Sequence, residues 1–158
     1  MGPSLAGGQR AFTLVELIVV MVVVGILALA AIPRLADSGF DDRRLRDDAI
    51  AALRFAQKAA IASRRVTCAT FPNATNLIVH IETAAGAGDC TTVGPALNGP
   101  EGTALVVTAS RSTSFSAFPA GWITFNGLGQ PSAAASIGIS NLPAALAITV
   151  EAETGYVR

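Results

Sequence analysis

Residue types that carry most enzyme chemistry are scarce in this chain. Of its 158 residues, one is histidine (His80) and two are cysteine (Cys68 and Cys90). A metal site would need more ligands at workable spacing, so His80, in an alternating segment, is predicted to be a structural or an exposed strand residue. The sequence contains neither a nucleophile elbow nor a Walker loop, and the glycines at 127–129 are typical of a turn. It therefore predicts no catalytic residue, no metal site and no cofactor.

Charge is also sparse and unevenly distributed. Only 14% of residues are charged, and the formal net charge is zero. Residues 34–65 contain eight basic and five acidic side chains, a net of +3, whereas residues 66–158 contain two basic and five acidic ones, a net of −3. A mildly acidic C-terminal part is poorly suited to binding phosphate backbones, so a nucleic-acid partner is not expected.

What the chain does have is a long uncharged segment near its start. No charged side chain occurs from Leu17 to Ile32, and a helix over residues 12–33 would be about 33 Å long, enough to cross a bilayer core. A buried core helix is disfavoured because the segment is apolar on all sides. A secretory signal peptide with a cleavage site near Ala30 is an alternative, although Glu16 would then interrupt its apolar region. The third interpretation is a retained membrane anchor.

Residues 34–65 follow with helical periodicity. Apolar residues recur at helical spacing, with charged side chains largely on the other faces. The apolar set is rich in alanine and comprises Leu45, Ala49, Ala52, Leu53, Ala56, Ala59 and Ala60. An amphipathic helix with a low-profile face, suited to lying against a sheet, is therefore predicted, and its charged clusters are predicted to be solvated.

After residue 65 the periodicity changes to two, which is typical of strands. Strands are predicted at 66–71, 76–82, 104–110, 114–118, 122–125, 135–139 and 147–153. Turn chemistry at 72–75 predicts a hairpin between the first two. The fold class is therefore α+β, with a long N-terminal helix, a transmembrane half followed by an amphipathic half, packed on an antiparallel β head domain.

The two cysteines leave two interpretations open. Cys68 and Cys90 are either small buried hydrophobic residues or, if the head lies outside the cytoplasm, a disulfide pair. Closing a loop of that size would stabilise the domain by about 3 kcal/mol in the chain-entropy treatment.

The stretch Ala11-Phe12-Thr13-Leu14-Val15-Glu16, followed by the apolar segment, resembles the class III signal of type IV pilins and type II secretion pseudopilins. In that family a prepilin peptidase cuts before the phenylalanine and methylates the new amino terminus. The resemblance implies cleavage between Ala11 and Phe12 and N-methylation of Phe12. The family usually has glycine before the cut, where this chain has Ala11.

The resemblance also assigns roles inside the helix. It pairs Glu16 with the amino terminus of a neighbouring subunit during assembly, and the alternative is that Glu16 reaches the membrane interface on its own. Gly25 and Pro33 stand where the family's helix loosens inside filaments. The resemblance thus divides the chain into a leader (1–11), a transmembrane and filament-core helix (12–33), an amphipathic helix (34–65) and a β head (66–158).

Weaker motifs narrow the subfamily. The segments LRFAQKAAIASRRV, WITFNGLGQP and AITVEAETGYVR are similar to the GspH/FimT group of minor pilins, and the chain is also similar to minor pilins of mannose-sensitive haemagglutinin-type pili. Some FimT-like members bind DNA through a C-terminal Gly-Arg-x-Arg. Here the stretch runs from Gly155 to Arg158 with Tyr156 in place of the first arginine, so Arg158 is a weak candidate for DNA contact.

Together these resemblances imply a non-enzymatic minor pilin or pseudopilin. The expected partners are prepilin peptidase, other pilin-like subunits, the inner membrane and, in a secretion system, secreted cargo. The expected topology is single-pass, with a cytoplasmic N-terminus and a periplasmic head that favours a Cys68–Cys90 disulfide. The distribution of arginine opposes this topology, because Arg10 alone precedes the apolar segment and Arg34 begins a basic stretch after it. The alternatives are a FimT-like DNA-binding minor pilin and a secreted β domain with a conventional signal peptide.

Overall fold

The computed structural model describes residues 13–35, 38–83, 90, 94–110 and 112–158. These residues form two units, Met1–Asp37 and Ser38–Arg158. Helix α1 (Leu14–Leu35) belongs to the first and helix α2 (Ser38–Ser63) to the second. The second unit also contains the strands β1 (Thr67–Asn73), β2 (Asn76–Ile81), β3 (Val106–Thr108), β4 (Phe115–Ala117), β5 (Ile123–Phe125), β6 (Ala135–Ile139) and β7 (Ile148–Val150), with a 3-10 turn at Ala144–Leu146.

Helix α1 is apolar over its 22 residues apart from Glu16 in its first turn and Arg34 near its end. A search of the described part of the chain for a helix with the length and hydropathy of a membrane span found none. The assignment of residues 12–33 to a membrane stays a prediction.

The strands form two antiparallel sheets. The larger sheet has the order β3-β2-β1-β5, and the smaller has the order β4-β6-β7. In the central hairpin Ala69 lies opposite Val79, and Asn73 lies opposite Asn76, so the turn consists of Ala74 and Thr75 alone. The Asn73 side chain accepts a hydrogen bond from the Thr75 N–H at 2.9 Å, which is the side-chain turn chemistry that asparagine favours. The predicted hairpin is confirmed, with β1 extending two residues further than expected.

Helix α2 covers the larger sheet with its alanine-rich face. The predicted apolar positions are buried at 4% exposure or less, except Ala59, which is half-buried. They pack against alternate residues of the hairpin and of β5, including Ala69, Leu77, Val79 and Phe125. Because successive strand residues point to opposite faces, this contact fixes which face of the sheet is inside. The predicted α+β class, a helix on antiparallel sheet, is confirmed.

The polar side of α2 differs from the prediction of a solvated face. Arg46 Nε donates to the Leu146 carbonyl at 2.7 Å, and the Arg54 guanidinium donates twice to the Val157 carbonyl, at 3.1 and 2.8 Å. Gln57 Nε2 donates to the carbonyls of Gly129 and Thr154, both at 2.9 Å. The hydrogen bonds of these side chains, which we call the α2 polar contacts, hold the C-terminal segment against the helix.

Asp42 also departs from the solvated expectation. Its side chain is fully buried, and neither carboxylate oxygen has a hydrogen-bond partner among the described residues. The same holds for the buried hydroxyl of Thr113.

Replacing Gln57 tests the α2 polar contacts. Gln57→Met keeps the side-chain volume but leaves the Gly129 and Thr154 carbonyls without their donor, so we expect the free energy of unfolding to fall by about 1–3 kcal/mol. The measurement is denaturant unfolding followed by the fluorescence of Trp122, the single tryptophan. Lys58→Met, at the exposed neighbouring position, is the matched control and should change stability by less than about 0.5 kcal/mol. Equal losses in the two variants would contradict the interpretation.

Candidate functional site

The start of α1 holds the strongest candidate site. The Thr13 Oγ1 accepts a hydrogen bond from the Glu16 N–H at 3.2 Å, and the Leu17 N–H donates to the Thr13 carbonyl at 3.2 Å. Thr13 is therefore the N-cap of the helix, since its side chain satisfies one of the amide groups that lack an intrahelical partner. Glu16 lies exposed in the first turn, where the helix dipole favours a negative charge.

The role of Thr13 was not predicted from the sequence, although the sequence contains the signal for it. Thr13-Leu14-Val15-Glu16 has the spacing of a capping box, in which a threonine caps the helix and a glutamate three residues later can reach back to the threonine N–H. The spacing predicts a local role for the Glu16 carboxylate in addition to the assembly role that the resemblance implies, and the half of the capping box that the structure shows is the bond from the Glu16 N–H to the Thr13 hydroxyl. The two roles differ in one respect, because capping needs a hydrogen-bond acceptor whereas pairing with an amino group needs a negative charge.

Beyond Glu16, α1 presents apolar side chains in every direction. Each side chain described from Leu14 to Ala28 is exposed. The large ones are 49–74% exposed and comprise Leu14, Val15, Leu17, Ile18, Val19, Val20, Met21, Val22, Val23, Val24, Ile26 and Leu27. A helix that is apolar on all sides is stable in a protein only when lipid or other apolar helices cover it. The surface is thus suited to association.

Gly25 lies in the middle of this surface. A Cβ added at Gly25 would meet nothing within 4 Å, so packing within the chain does not require glycine there. Glycine in a helix interior is less stable than alanine by about 0.5–1 kcal/mol. Pro33 lies two residues before the end of α1 and has no N–H to donate. At Gly25 the structure offers no contact that compensates for this weakening.

The other predicted site residues lie elsewhere. Ala11 and Phe12 lie outside the described residues. Cys68 and Cys90 form a disulfide with a Cα–Cα distance of 6.0 Å, and with Val66 and Trp122 they make a small apolar cluster. In this cluster the Trp122 ring meets the His80 ring edge-on, with centroids 5.8 Å apart.

Arg158 is exposed, and its Nε donates to the Thr149 hydroxyl at 3.0 Å. The structure places it beside two arginines of α2 that the sequence analysis did not connect with it. Arg46, Arg54 and Arg158 line one depression of about 410 Å³, together with Asp47. Both α2 arginines are already bound to carbonyls, and Arg46 also lies 3.5 Å from the Asp47 carboxylate. The patch is therefore only partly available to an anion.

Comparison with protein families identifies the first part of the chain. Residues 7–32 match the prokaryotic N-terminal methylation motif. This motif is the prepilin-type signal, and it supports a type IV pilin-like or pseudopilin subunit, a structural protein that prepilin peptidase processes and that assembles with other such subunits. Comparisons with curated proteins and with solved structures found no match. The match covers the capped start of α1 and most of its apolar surface.

The cap can be tested without reference to assembly. Thr13→Val keeps the side-chain shape but removes the hydroxyl acceptor, so we expect the start of α1 to lose about 1 kcal/mol of helix stability. Amide hydrogen exchange at residues 14–17 measures this, and the amide of Glu16 should exchange roughly fivefold faster. Thr13→Ser retains the hydroxyl and should exchange like the unaltered chain. If Thr13→Val also did so, the cap would have no energetic role.

Proposed function

We propose that this chain is a minor pilin or pseudopilin, a structural subunit of a type II secretion pseudopilus or a type IV pilus. The observation that carries the proposal is the methylation motif, which covers most of a helix that has a carboxylate in its first turn and an exposed apolar surface. In this proposal the helix stores the subunit in the inner membrane and then packs among the helices of neighbouring subunits. Prepilin peptidase removes residues 1–11 and methylates Phe12.

The charge on Glu16 supports an assembly role on energetic grounds. A carboxylate within an apolar layer costs on the order of 2.5–3.5 kcal/mol, so it requires a partner. Cleavage before Phe12 creates a positive amino group in the same layer. Two opposite charges about 4 Å apart attract by roughly 4 kcal/mol at an effective dielectric constant of 20, which is enough to offset that cost. An incoming Glu16 is therefore most stable beside the amino terminus of a neighbour, and this contact sets the axial register between subunits.

Gly25 and Pro33 fit the same proposal. The open space around the Cβ position of Gly25 supports this, because packing within the described residues does not require glycine there. In a filament the loosened helix lets its apolar side chains adapt to those of adjacent subunits. The proposal therefore assigns the 12–33 helix two states, a regular one in the membrane and a partly unwound one in the filament.

The Cys68–Cys90 disulfide supports a periplasmic head, because disulfides persist in oxidising compartments. In this topology the N-terminus is cytoplasmic, and the β head presents the surface that contacts other minor subunits or secreted cargo. We give the disulfide more weight than the distribution of arginine around the apolar segment, which favours the opposite topology. The energy for assembly comes from a separate motor protein.

A FimT-like role in DNA uptake is the second candidate. The observation that favours it is the depression shared by Arg46, Arg54 and Arg158. Against it stand Tyr156 in the place of the family's first arginine, and Glu151 and Glu153, both exposed close by in the chain. A structural subunit without DNA binding is therefore the preferred proposal.

The mass of the mature N-terminus tests the pathway. In a cell that has a prepilin peptidase, we expect the membrane-bound protein to begin at N-methylated Phe12. Ala11→Gly, which restores the residue usual in the family, should be cleaved at least as completely, whereas a bulky residue in Ala11→Leu should block cleavage. A start near Ala31 would instead indicate a conventional signal peptide, and an intact Met1 would rule out processing altogether.

Replacing Glu16 separates its two roles. Glu16→Gln retains a capping-box acceptor but removes the charge, so we expect normal membrane levels and at least a tenfold loss of subunits in sheared filaments or in intersubunit cross-links. Glu16→Asp keeps the charge and should retain a substantial part of assembly. Assembly of Glu16→Gln at the level of the unaltered chain would show that the carboxylate acts only locally.

A further inference from the structure

Three ligand-type side chains meet on the face of the larger sheet that lies away from α2. The Sγ atoms of Cys68 and Cys90 and a carboxylate oxygen of Glu82 all lie within 4.8 Å of one another. The three residues are buried, with exposures of 2%, 2% and 8%. Cys68 belongs to β1, Glu82 follows β2, and the disulfide brings Cys90 to them.

The position of Glu82 needs an explanation. Its N–H donates to the Val66 carbonyl at 2.9 Å, which holds the residue beside the start of β1. Its Oε1 lies 3.9 Å from Cys68 Sγ, and the described residues offer its carboxylate no other polar contact. A disulfide sulfur carries no hydrogen and cannot donate a bond. Burial of a carboxylate beside two sulfur atoms is costly, and a cation bound between these groups would offset that cost.

The geometry of such a bound cation follows from zinc coordination. With Zn–S and Zn–O distances of about 2.3 and 2.0 Å and tetrahedral angles, a sulfur and an oxygen bound to one ion lie about 3.5 Å apart. The observed 3.9 Å between Glu82 Oε1 and Cys68 Sγ is close to this separation. Two bound sulfurs would lie about 3.8 Å apart, which a disulfide forbids but two separate thiolates allow through rotation about χ1.

We propose that Cys68, Cys90 and Glu82 bind a zinc ion when their disulfide is reduced. A dithiol reductant gives two electrons and two protons to the disulfide, producing two thiols and itself becoming a disulfide. Zn²⁺ then binds both sulfurs as thiolates and releases their two protons, while Glu82 supplies the third ligand and water the fourth. The buried Glu82 carboxylate thereby gains a cation in the reduced protein.

His80 and Trp122 lie beside this site, and neither is proposed as a zinc ligand. His80 lies opposite Cys68 in the β1–β2 register, and its Nδ1 is 3.0 Å from the Gly94 carbonyl. It is not among the ligand atoms within 4.8 Å of one another. Trp122 packs against the cysteines and reports on their surroundings by its fluorescence. The site is independent of the role proposed for α1.

The test is zinc uptake by the full-length protein in detergent micelles, before and after reduction. We expect the reduced protein to bind one zinc ion per chain and the oxidised protein to bind none above background, as read by competition with a chromophoric chelator. Cobalt in place of zinc should give a thiolate-to-metal charge-transfer band in the reduced protein only. Equal uptake by the two forms, or no cobalt band, would overturn the proposal.

Two variants make the ligand assignment specific. Glu82→Gln keeps the shape of the side chain but removes its charge, and it should weaken zinc binding by 10- to 100-fold, whereas Glu101→Gln, at an exposed position, should not. If the reduced chain loses its Trp122 signal, zinc should restore it, because a structural metal stabilises the fold that binds it. Unchanged affinity in Glu82→Gln, or failure of zinc to restore the signal, would contradict the three-residue site.

Discussion

The contact between the alanine face of α2 and the larger sheet is the constraint on which the head depends. Ala49, Ala52, Ala56 and Ala60 are at most 3% exposed. Because alanine has no side chain beyond Cβ, the helix axis lies close to the strands, and polar groups on its flanks come within hydrogen-bond reach of the loops. Arg54 and Gln57 use this proximity to hold the C-terminal carbonyls. The short strands of the second sheet are thereby attached to the same helix as the long hairpin.

Periodicity predicted α2 with its buried face and the strands, because burial repeats every 3.6 residues in a helix and every two in a strand. It could not predict the α2 polar contacts. Arg54 and Val157 are 103 residues apart. Because every residue has a carbonyl, the amino-acid sequence does not indicate which one accepts the hydrogen bond. A charged cluster on a helix therefore looks solvated until the packing of the chain shows which carbonyls it meets.

The features of the candidate sites also differ in whether they are local in sequence or depend on the fold. The prepilin-type signal is local in sequence, so the segment from Ala11 to Glu16 predicted it, and the match of residues 7–32 to the N-terminal methylation motif supports it. The cap at Thr13 is also a local feature, but it was not predicted because Glu16 was interpreted only in terms of assembly. The meeting of Glu82 with the two cysteines was beyond sequence reasoning. It depends on the register of the hairpin, which places the residue after β2 beside the start of β1.

The α2 polar contacts also determine how the head responds to mechanical force. Arg46, Arg54 and Gln57 are spread over 11 residues, which is about 16 Å along a helix. Their hydrogen bonds join the helix to three stretches of backbone. A pull along the axis of α2 would therefore load them in shear and together, rather than one after another. The helix and the β domain are therefore joined at several points along the helix, and a load on one of these points is shared by the others.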